Sequence, residues 1–437
     1  MHFVDFFRDT APYIHAHRKK TIVLMVSGEA LDHANSASLI HDIALLTSLR
    51  IRVVLVFGAR PQIDRTLNAR KVTCEFKGHM RVTNADVLAT IQEVHGTMRA
   101  HLEAQLSMGL INSPMHNAQV RVVSGNFVTA KPMGVLDGVD LLYSGEVRKV
   151  DSEAVAKLLA DDYLVLVPHT GYSPTGEMFN LSAHDVAVQM AVGLGADKLF
   201  IIGDDQLVNP EGQRLGELVP SQCLDILAKH QVDEPGYQDL EAAMLASRYG
   251  VPRCHLVGFQ HDGGILSELY TRDGTGTLIT QEPYDTIRPA KTEDVGGILE
   301  LLKPLEESGV LVRRSRERLE TEIQSFLVNE RDGMIIGCIA LYPFDTDSEP
   351  DTAEVACVAV RPDYRANNRG DRLLTALEDR ARAMGIQSLF LLTTHTAHWF
   401  IERGFEQVDL SALPQQRQNL YNYQRNSKVF RKPLAGN

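Results

Sequence analysis

The 437-residue chain reads as an α/β protein in two domains. Residues 1–280 are expected to form a mostly parallel sheet with helices on both faces, and residues 288–437 a smaller α/β domain with a mixed sheet. Three features carry this reading. Through the first two-thirds of the chain, short β-branched runs alternate with helical stretches, and the runs are apolar almost without interruption, as strands buried on both faces are. That rhythm breaks over residues 281–287 (QEPYDTI), where a proline and polar residues make a linker. Beyond it, Asp332-Gly333 between two apolar runs signals an antiparallel hairpin.

In the first domain TIVLMVS (21–27) and IRVVLVFG (51–58) read as strands flanking a helix over 38–49. Further strands are expected at 120–123, 164–168, 198–203 and 254–258, with helices over 86–106, 152–161, 183–194 and 240–249. In the second domain helices are expected over 292–307 and 315–326, then a hairpin of 326–331 with 334–342. A strand at 353–360, a helix over 371–384, a strand at 389–393, a short helix over 397–403 and a strand at 427–431 complete it. The N-terminal segment carries Phe3, Phe6, Phe7 and Ile14, apolar side chains that need burial.

Composition narrows the function classes. Apolar residues make up 44% and charged residues 23%, which are globular proportions. Lys plus Arg number 44 against 56 Asp plus Glu, a net charge of −12. An acidic surface repels phosphate backbones, which argues against nucleic acid as a partner. No run approaches the ~18 consecutive apolar residues of a membrane span, and the N-terminus lacks a signal-peptide pattern. Five cysteines, an odd number without a CxxC pair, fit neither a disulfide framework nor a zinc site. A cytoplasmic protein without a metal is expected.

The stretch 354–374, EVACVAVRPDYRANNRGDRLL, carries the most chemistry. A strand runs into a loop holding Arg365, Asn368 and Gly370, and the loop opens into a helix. A helix start offers unpaired backbone N–H groups and about half a positive charge, which suits a pyrophosphate. Gly370 brings little bulk, and Asn tolerates a left-handed backbone.

This stretch resembles the acetyl-CoA loop of the GNAT N-acetyltransferases, Arg/Gln-x-x-Gly-x-Gly/Ala, written here as Arg365-x-x-Asn368-x-Gly370 with the first glycine replaced. The downstream signature Phe400-x-x-x-Gly404-Phe405 agrees. The resemblance implies acetyl-CoA as co-substrate, held by Val360, Arg365, Asn368, Arg369, Gly370 and Asp371, with backbone N–H groups of Cys357 and Val358 on the thioester oxygen. In the first domain VLVFGARPQI (54–63) resembles the phosphate-binding turn of amino-acid kinases and keeps only Gly58, Pro61, Gln62 and Ile63. Met25 stands about where such kinases carry a lysine, and Asn180-Leu-Ser-Ala-His-Asp185 keeps part of a later motif. Phosphoryl transfer depends on positioning and charge neutralisation, so this domain is expected to keep the fold and lose the chemistry.

The two domains together, with GVLVRRSRERLE, LFLLTTHTAHWFIERGF and LYNYQRNSKV, resemble the bacterial N-acetylglutamate synthase family over nearly the whole chain. That likeness implies acetyl transfer from acetyl-CoA to the α-amine of L-glutamate, the first step of arginine biosynthesis, with feedback inhibition by L-arginine. It implies an arginine site at Tyr13, Lys198, His255, Glu268, Gly274 and Gly276, and a homo-oligomer, commonly a hexamer, linked by the N-terminal helix. Glu354 is the implied general base, directly or through water, and alternation puts it on one face with Ala356 and Val358. Arg314, with adjacent Arg313 as an alternative, and Arg425 resemble the substrate arginines, with Ser427 adding a hydroxyl. Phe400 has no proton to give the leaving thiolate, so Thr393 or solvent takes that part. A covalent route through Cys357 is disfavoured, because no base lies near it in sequence. The alternatives are an active kinase acting on N-acetylglutamate and a sensor of arginine and CoA without turnover.

Overall fold

The computed structural model describes all residues except 1–2, 109–115, 117–118, 205–206, 209–213, 230–233, 235, 272, 282–284, 332, 345–350, 366–368, 395, 423–426 and 435–437, and the side chains of Phe3, Asp5, Phe6, Asp9 and Asp363. The chain divides into two units, Met1–Pro283 and Tyr284–Asn437. The expected linker residues Thr286 and Ile287 belong to the second unit, where Thr286–Pro289 forms an edge strand.

The first unit is built on an eight-stranded sheet in the order Glu217–Leu218, Thr277–Ile279, Arg253–Gly258, Lys198–Gly203, Thr21–Val26, Arg52–Phe57, Tyr163–Pro168 and Arg121–Val123. Every pairing is parallel except that of Thr277–Ile279 with Arg253–Gly258. Alternate residues of the central strands feed two separate cores. Val23, Met25, Val54 and Val56 pack on one face, and Ile22, Leu24, Val53 and Leu55 on the other. This two-faced burial is why the runs read as uniformly apolar. A second, four-stranded sheet joins Met178–Asn180, Thr170–Tyr172, Val128–Pro132 and Gly145–Val150. Its strands, such as VTAKP and GEVRKV, are short and polar on one side, so no continuous apolar run announces them.

The second unit is a seven-stranded mixed sheet in the order Thr286–Pro289, Phe326–Arg331, Met334–Phe344, Thr352–Val360, Ser388–Thr393, Lys428–Pro433 and Glu406–Val408. Only Thr352–Val360 and Ser388–Thr393 run parallel. Helix Arg369–Ala383 covers one face through Leu373, Leu374 and Leu377. Helices Val295–Glu307 and Arg316–Glu322 cover the other through Ile298, Leu302 and Leu319. Phe326, Phe390, Phe405 and Phe430 are fully buried, each worth about 2–3 kcal/mol of apolar burial.

Candidate active site and a buried polar cluster

Two strands that part company make the centre of the second unit. Thr352–Val360 pairs with Ser388–Thr393 only through Thr352–Ser388, Ala353–Leu389 and Glu354–Phe390. Continuing that register would set Cys357 level with Thr393, but the ladder has ended. On its other side Thr352–Val360 pairs with Met334–Phe344 along its length, with one irregularity. Between Ala356–Ala340 and Ala359–Cys338, Cys357 and Val358 face the single residue Ile339, which is a β-bulge. Cys357 takes the left-handed conformation, φ 51°, uncommon for a residue with a side chain. Strain of this kind gathers at functional sites. The bulge also corrects the expected alternation. Ala356 and Cys357 pack toward the helix Val295–Glu307, while Val358 and Val360 turn to the opposite core. Glu354 therefore does not share a face with Val358, because the inserted residue shifts the pleat by one.

The Glu354 carboxylate is three-quarters or more buried and takes both forks of Arg417, at 2.8 Å from Nε and 3.1 Å from Nη2. Arg417 comes from the short helix Gln415–Asn419, which no motif in the sequence marked. Across the ladder from Glu354 stands Tyr342, whose hydroxyl donates to Glu322 at 2.7 Å. Arg318 holds the other oxygen of Glu322 at 2.7 Å. The Arg314 guanidinium lies 5.6 Å from the Tyr342 ring centre. Its Nε and Nη1 are shut off from solvent and have no hydrogen-bond acceptor among the described residues. Arg313, by contrast, is exposed. Burial pushes the Cys357 thiol up to about 11, against the opposing pull of Arg314, so it is protonated at neutral pH.

Thr393, at the end of its strand, shares a 3.0 Å hydrogen bond with the Thr396 hydroxyl and accepts from the Thr396 N–H at 3.2 Å. Its antiparallel partner is Lys428, next to Ser427. The Ser427 carbonyl accepts from the Tyr421 hydroxyl at 2.8 Å. Glu354, Cys357, Val358 and Thr393 thus lie around one wedge between diverging strands, and Arg314 approaches from the Tyr342 side. Arg425 and Asn368 lie outside the described residues.

Past Val360 the chain makes the turn Pro362–Tyr364 and re-enters at helix Arg369–Ala383. Arg365 is exposed, with Nε 3.4 Å from the Val360 carbonyl. The Arg369 side chain points inward instead: it is buried against Asp285 and offers a ligand its backbone rather than its guanidinium. Asp371 is paired with Arg403, so its carboxylate is likewise engaged. Gly370 has a packing reason as well, since a Cβ there would lie 3.0 Å from the Trp399 ring. Phe400 and Phe405 are core residues with rings 5.6 Å apart.

In the first unit Lys198, His255 and Glu268 form one buried line. Lys198 Nζ is 3.5 Å from His255 Nε2, and His255 Nδ1 is 2.7 Å from Glu268 Oε1. The second Glu268 oxygen accepts the N–H groups of Thr275 and Gly276 at 2.7 and 2.8 Å. Burial works to raise the Glu268 carboxyl, but His255 and these N–H groups outweigh it and bring it down to about 2. Burial and the Lys198 charge lower His255 to about 4, so its ring is neutral at pH 7. Gly274 sits at φ 56°, and a Cβ there would lie 2.1 Å from Glu268. Tyr13 packs at the edge of the adjoining core, and His17 on the same helix is 2.9 Å from the Leu269 carbonyl.

The same unit holds a cavity of about 560 Å³ at the C-terminal ends of its parallel strands, lined by Met25, Gly28, Gly58, Arg60, His184 and Asp239 among others. Met25 lines this cavity without a charge, and Asp185 accepts from the Val147 N–H at 3.0 Å. Among the described residues no group of side chains is arranged to hold a metal ion, and no helix is long and apolar enough to cross a membrane.

The Amino acid kinase family model matches residues 20–258, and the Acetyltransferase (GNAT) family model residues 296–405. An amino-acid acetyltransferase of Azotobacter vinelandii is 50% identical over 433 residues, 99% of both chains. The chain belongs to the amino-acid acetyltransferase family. A second member, from Ectopseudomonas mendocina, is 50% identical over 99% of each chain. The N-acetylglutamate synthase of Neisseria gonorrhoeae, solved with coenzyme A and L-arginine, superposes with a TM-score of 0.84 at 36% identity, covering 100% of both chains. The same enzyme solved with coenzyme A and N-acetyl-glutamate gives 0.63 at 37% identity, again with full coverage. The protein is therefore an enzyme that transfers acetyl groups to an amino acid, on a kinase-like fold joined to a GNAT fold.

Proposed function

We propose that this acetyltransferase acts on the α-amine of L-glutamate with acetyl-CoA as donor and is inhibited by L-arginine, at the entry to arginine biosynthesis. The carrying observation is Arg314: a half-buried side chain whose Nε and Nη1 are shut off from solvent and unmet among the described residues calls for an anion, and a dicarboxylic amino acid brings one to spare. The solved relative with N-acetyl-glutamate supports the same substrate.

In the reaction the amine nitrogen attacks the thioester carbon, the C–S bond breaks, and the thiolate leaves with CoA. Glu354, held in orientation by Arg417, takes the ammonium proton directly or through water. The N–H groups of Cys357 and Val358, at the bulge, stabilise the oxyanion. Thr393, across the wedge, orients the thiolate or the water that protonates it. The high thiol pKa of Cys357 favours direct attack over an acyl-enzyme. Arg365 and the backbone at the start of helix Arg369–Ala383 bind the diphosphate.

Lys198, His255, Glu268, Gly274 and Gly276 are the arginine site in this reading, beside the helix carrying Tyr13. Phe7 on that helix is 59% exposed, which supports its burial against another subunit in a cytoplasmic homo-oligomer such as a hexamer. The kinase alternative is disfavoured by Met25 and the engagement of Asp185. Thiol release from acetyl-CoA, measured across the twenty amino acids with and without arginine, tests the whole. Glutamate alone should turn over quickly, and arginine should slow it; equal rates with aspartate, or no response to arginine, would contradict the substrate or the regulation respectively.

A further inference from the structure

Asp285 is a buried carboxylate at the head of the second unit, and three arginines converge on it. Arg369 Nε lies 2.5 Å from Oδ2, Arg331 Nη1 3.3 Å from Oδ1, and Arg372 Nη1 3.7 Å from Oδ2. Arg372 also donates to the Asp285 carbonyl at 3.0 Å. Arg369 and Arg331 flank the ring of Tyr364, at 5.4 and 6.0 Å from its centre. Arg369 donates to the Tyr364 carbonyl at 3.4 Å. One carboxylate thus ties the entering chain to an interior strand, to the turn Pro362–Tyr364 and to the first turn of helix Arg369–Ala383. Those last two elements are the shoulders of the loop read above as the diphosphate site.

The charges make this more than a structural tie. Three guanidiniums lie within 4 Å of this one carboxylate at the start of a helix, where the backbone dipole is positive too. Without Asp285 the buried Arg369 guanidinium loses the carboxylate 2.5 Å from its Nε, a costly change that moving the side chain, and the first helical turn with it, would relieve. The geometry points to Asp285 as a positioning residue for acetyl-CoA: through Arg369 and Arg372 it sets the place of the first turn of helix Arg369–Ala383, whose backbone N–H groups face the diphosphate, and it touches neither substrate. This rests on the acetyl-CoA reading of that loop.

The test uses the full-length enzyme. Asp285→Asn keeps size and an acceptor but removes the charge; it should raise the acetyl-CoA KM and the calorimetric Kd for coenzyme A about tenfold. The glutamate KM should stay within about twofold and kcat within about threefold. Asp285→Glu, which restores the charge, should recover most of the loss. Arg372→Gln, at a partly exposed side chain, should weaken coenzyme A binding two- to fivefold, and it decides the matter alone if Asp285→Asn does not fold. Acetyl-CoA KM and coenzyme A Kd within twofold of wild type in the folded variants would overturn the proposal. So would a parallel loss in both KM values and kcat, which a merely structural role produces. Failure of the wild-type enzyme to bind coenzyme A would instead sink the reading of the loop.

Discussion

Replacing Arg314 by Met separates binding from folding. Methionine keeps much of the stem against Tyr342 but brings no charge. If two guanidinium donors meet a substrate carboxylate, the loss is that of a charge-assisted pair, about 3 kcal/mol. At 1.4 kcal/mol per tenfold that is roughly a 100-fold fall in kcat/KM for glutamate, expressed mainly in KM. The folded protein should respond differently. Nε and Nη1 have no acceptor among the described residues, so removing them relieves a desolvation penalty of about 1–3 kcal/mol. The lost contact with the Tyr342 ring returns about 0.5–1 kcal/mol of that. The melting temperature should therefore hold or rise by a few degrees while activity collapses. Initial rates over a glutamate series, together with a thermal melt of the same sample, read both. A glutamate KM within twofold of wild type would refute the anchor. A melting temperature several degrees lower would refute the claim that its donors are unmet without substrate.

Other substitutions probe the remaining groups. Glu354→Gln should lower kcat by about 10²–10⁴ at little change in acetyl-CoA KM, as loss of a general base does; a fall under threefold in steady-state assays would exclude it. Thr393→Val should cost less than tenfold in kcat if solvent can protonate the thiolate, and a loss above 10³ would make Thr393 the acid itself. Glu268→Gln should abolish arginine inhibition while leaving uninhibited turnover intact, read from dose–response curves. Stability should fall as pH drops from 6.5 toward 4, because His17, His169 and His255 are each lowered to about 4 in the fold and stay neutral where the unfolded chain takes a proton. Asp42 carries the opposite sign: burial and Asp262 raise it to about 6, so its charge burdens the fold above that pH. Asp42→Asn should raise the melting temperature at pH 7.5, by an amount that shrinks as pH falls from 6 toward 4.

Much of the fold is legible because buried parallel strands are written in one alphabet. TIVLMV and KLFIIG need no context to be strands, and their lengths agree with the structure to a residue. The four-stranded sheet is not legible, since VTAKP becomes a strand only when its neighbours cover one side. At the site, Glu354, Cys357 and Thr393 are close enough to motif residues to be named from the sequence, and the structure sets them around one wedge. The bulge at Cys357 is invisible to a reading that counts alternate residues, and it reverses the face of Val358. Arg417 and Asp285 carry no local signal at all. Each lies more than sixty residues from its partner, in a polar stretch or a linker, and only the folded chain brings its charge to Glu354 or Arg369. Arg369 reads as a phosphate ligand by its place in the loop, but its side chain is spent inside.

A structure of the enzyme with a covalent coenzyme A–glutamate conjugate, acetyl bridge included, measures the geometry directly. The bridging carbonyl oxygen should lie about 3 Å from the N–H of Cys357 or Val358, with a glutamate carboxylate on Arg314 and the amino nitrogen facing Glu354. A conjugate bound with its carbonyl away from the bulge, or with Arg314 still without an anion, would contradict the account.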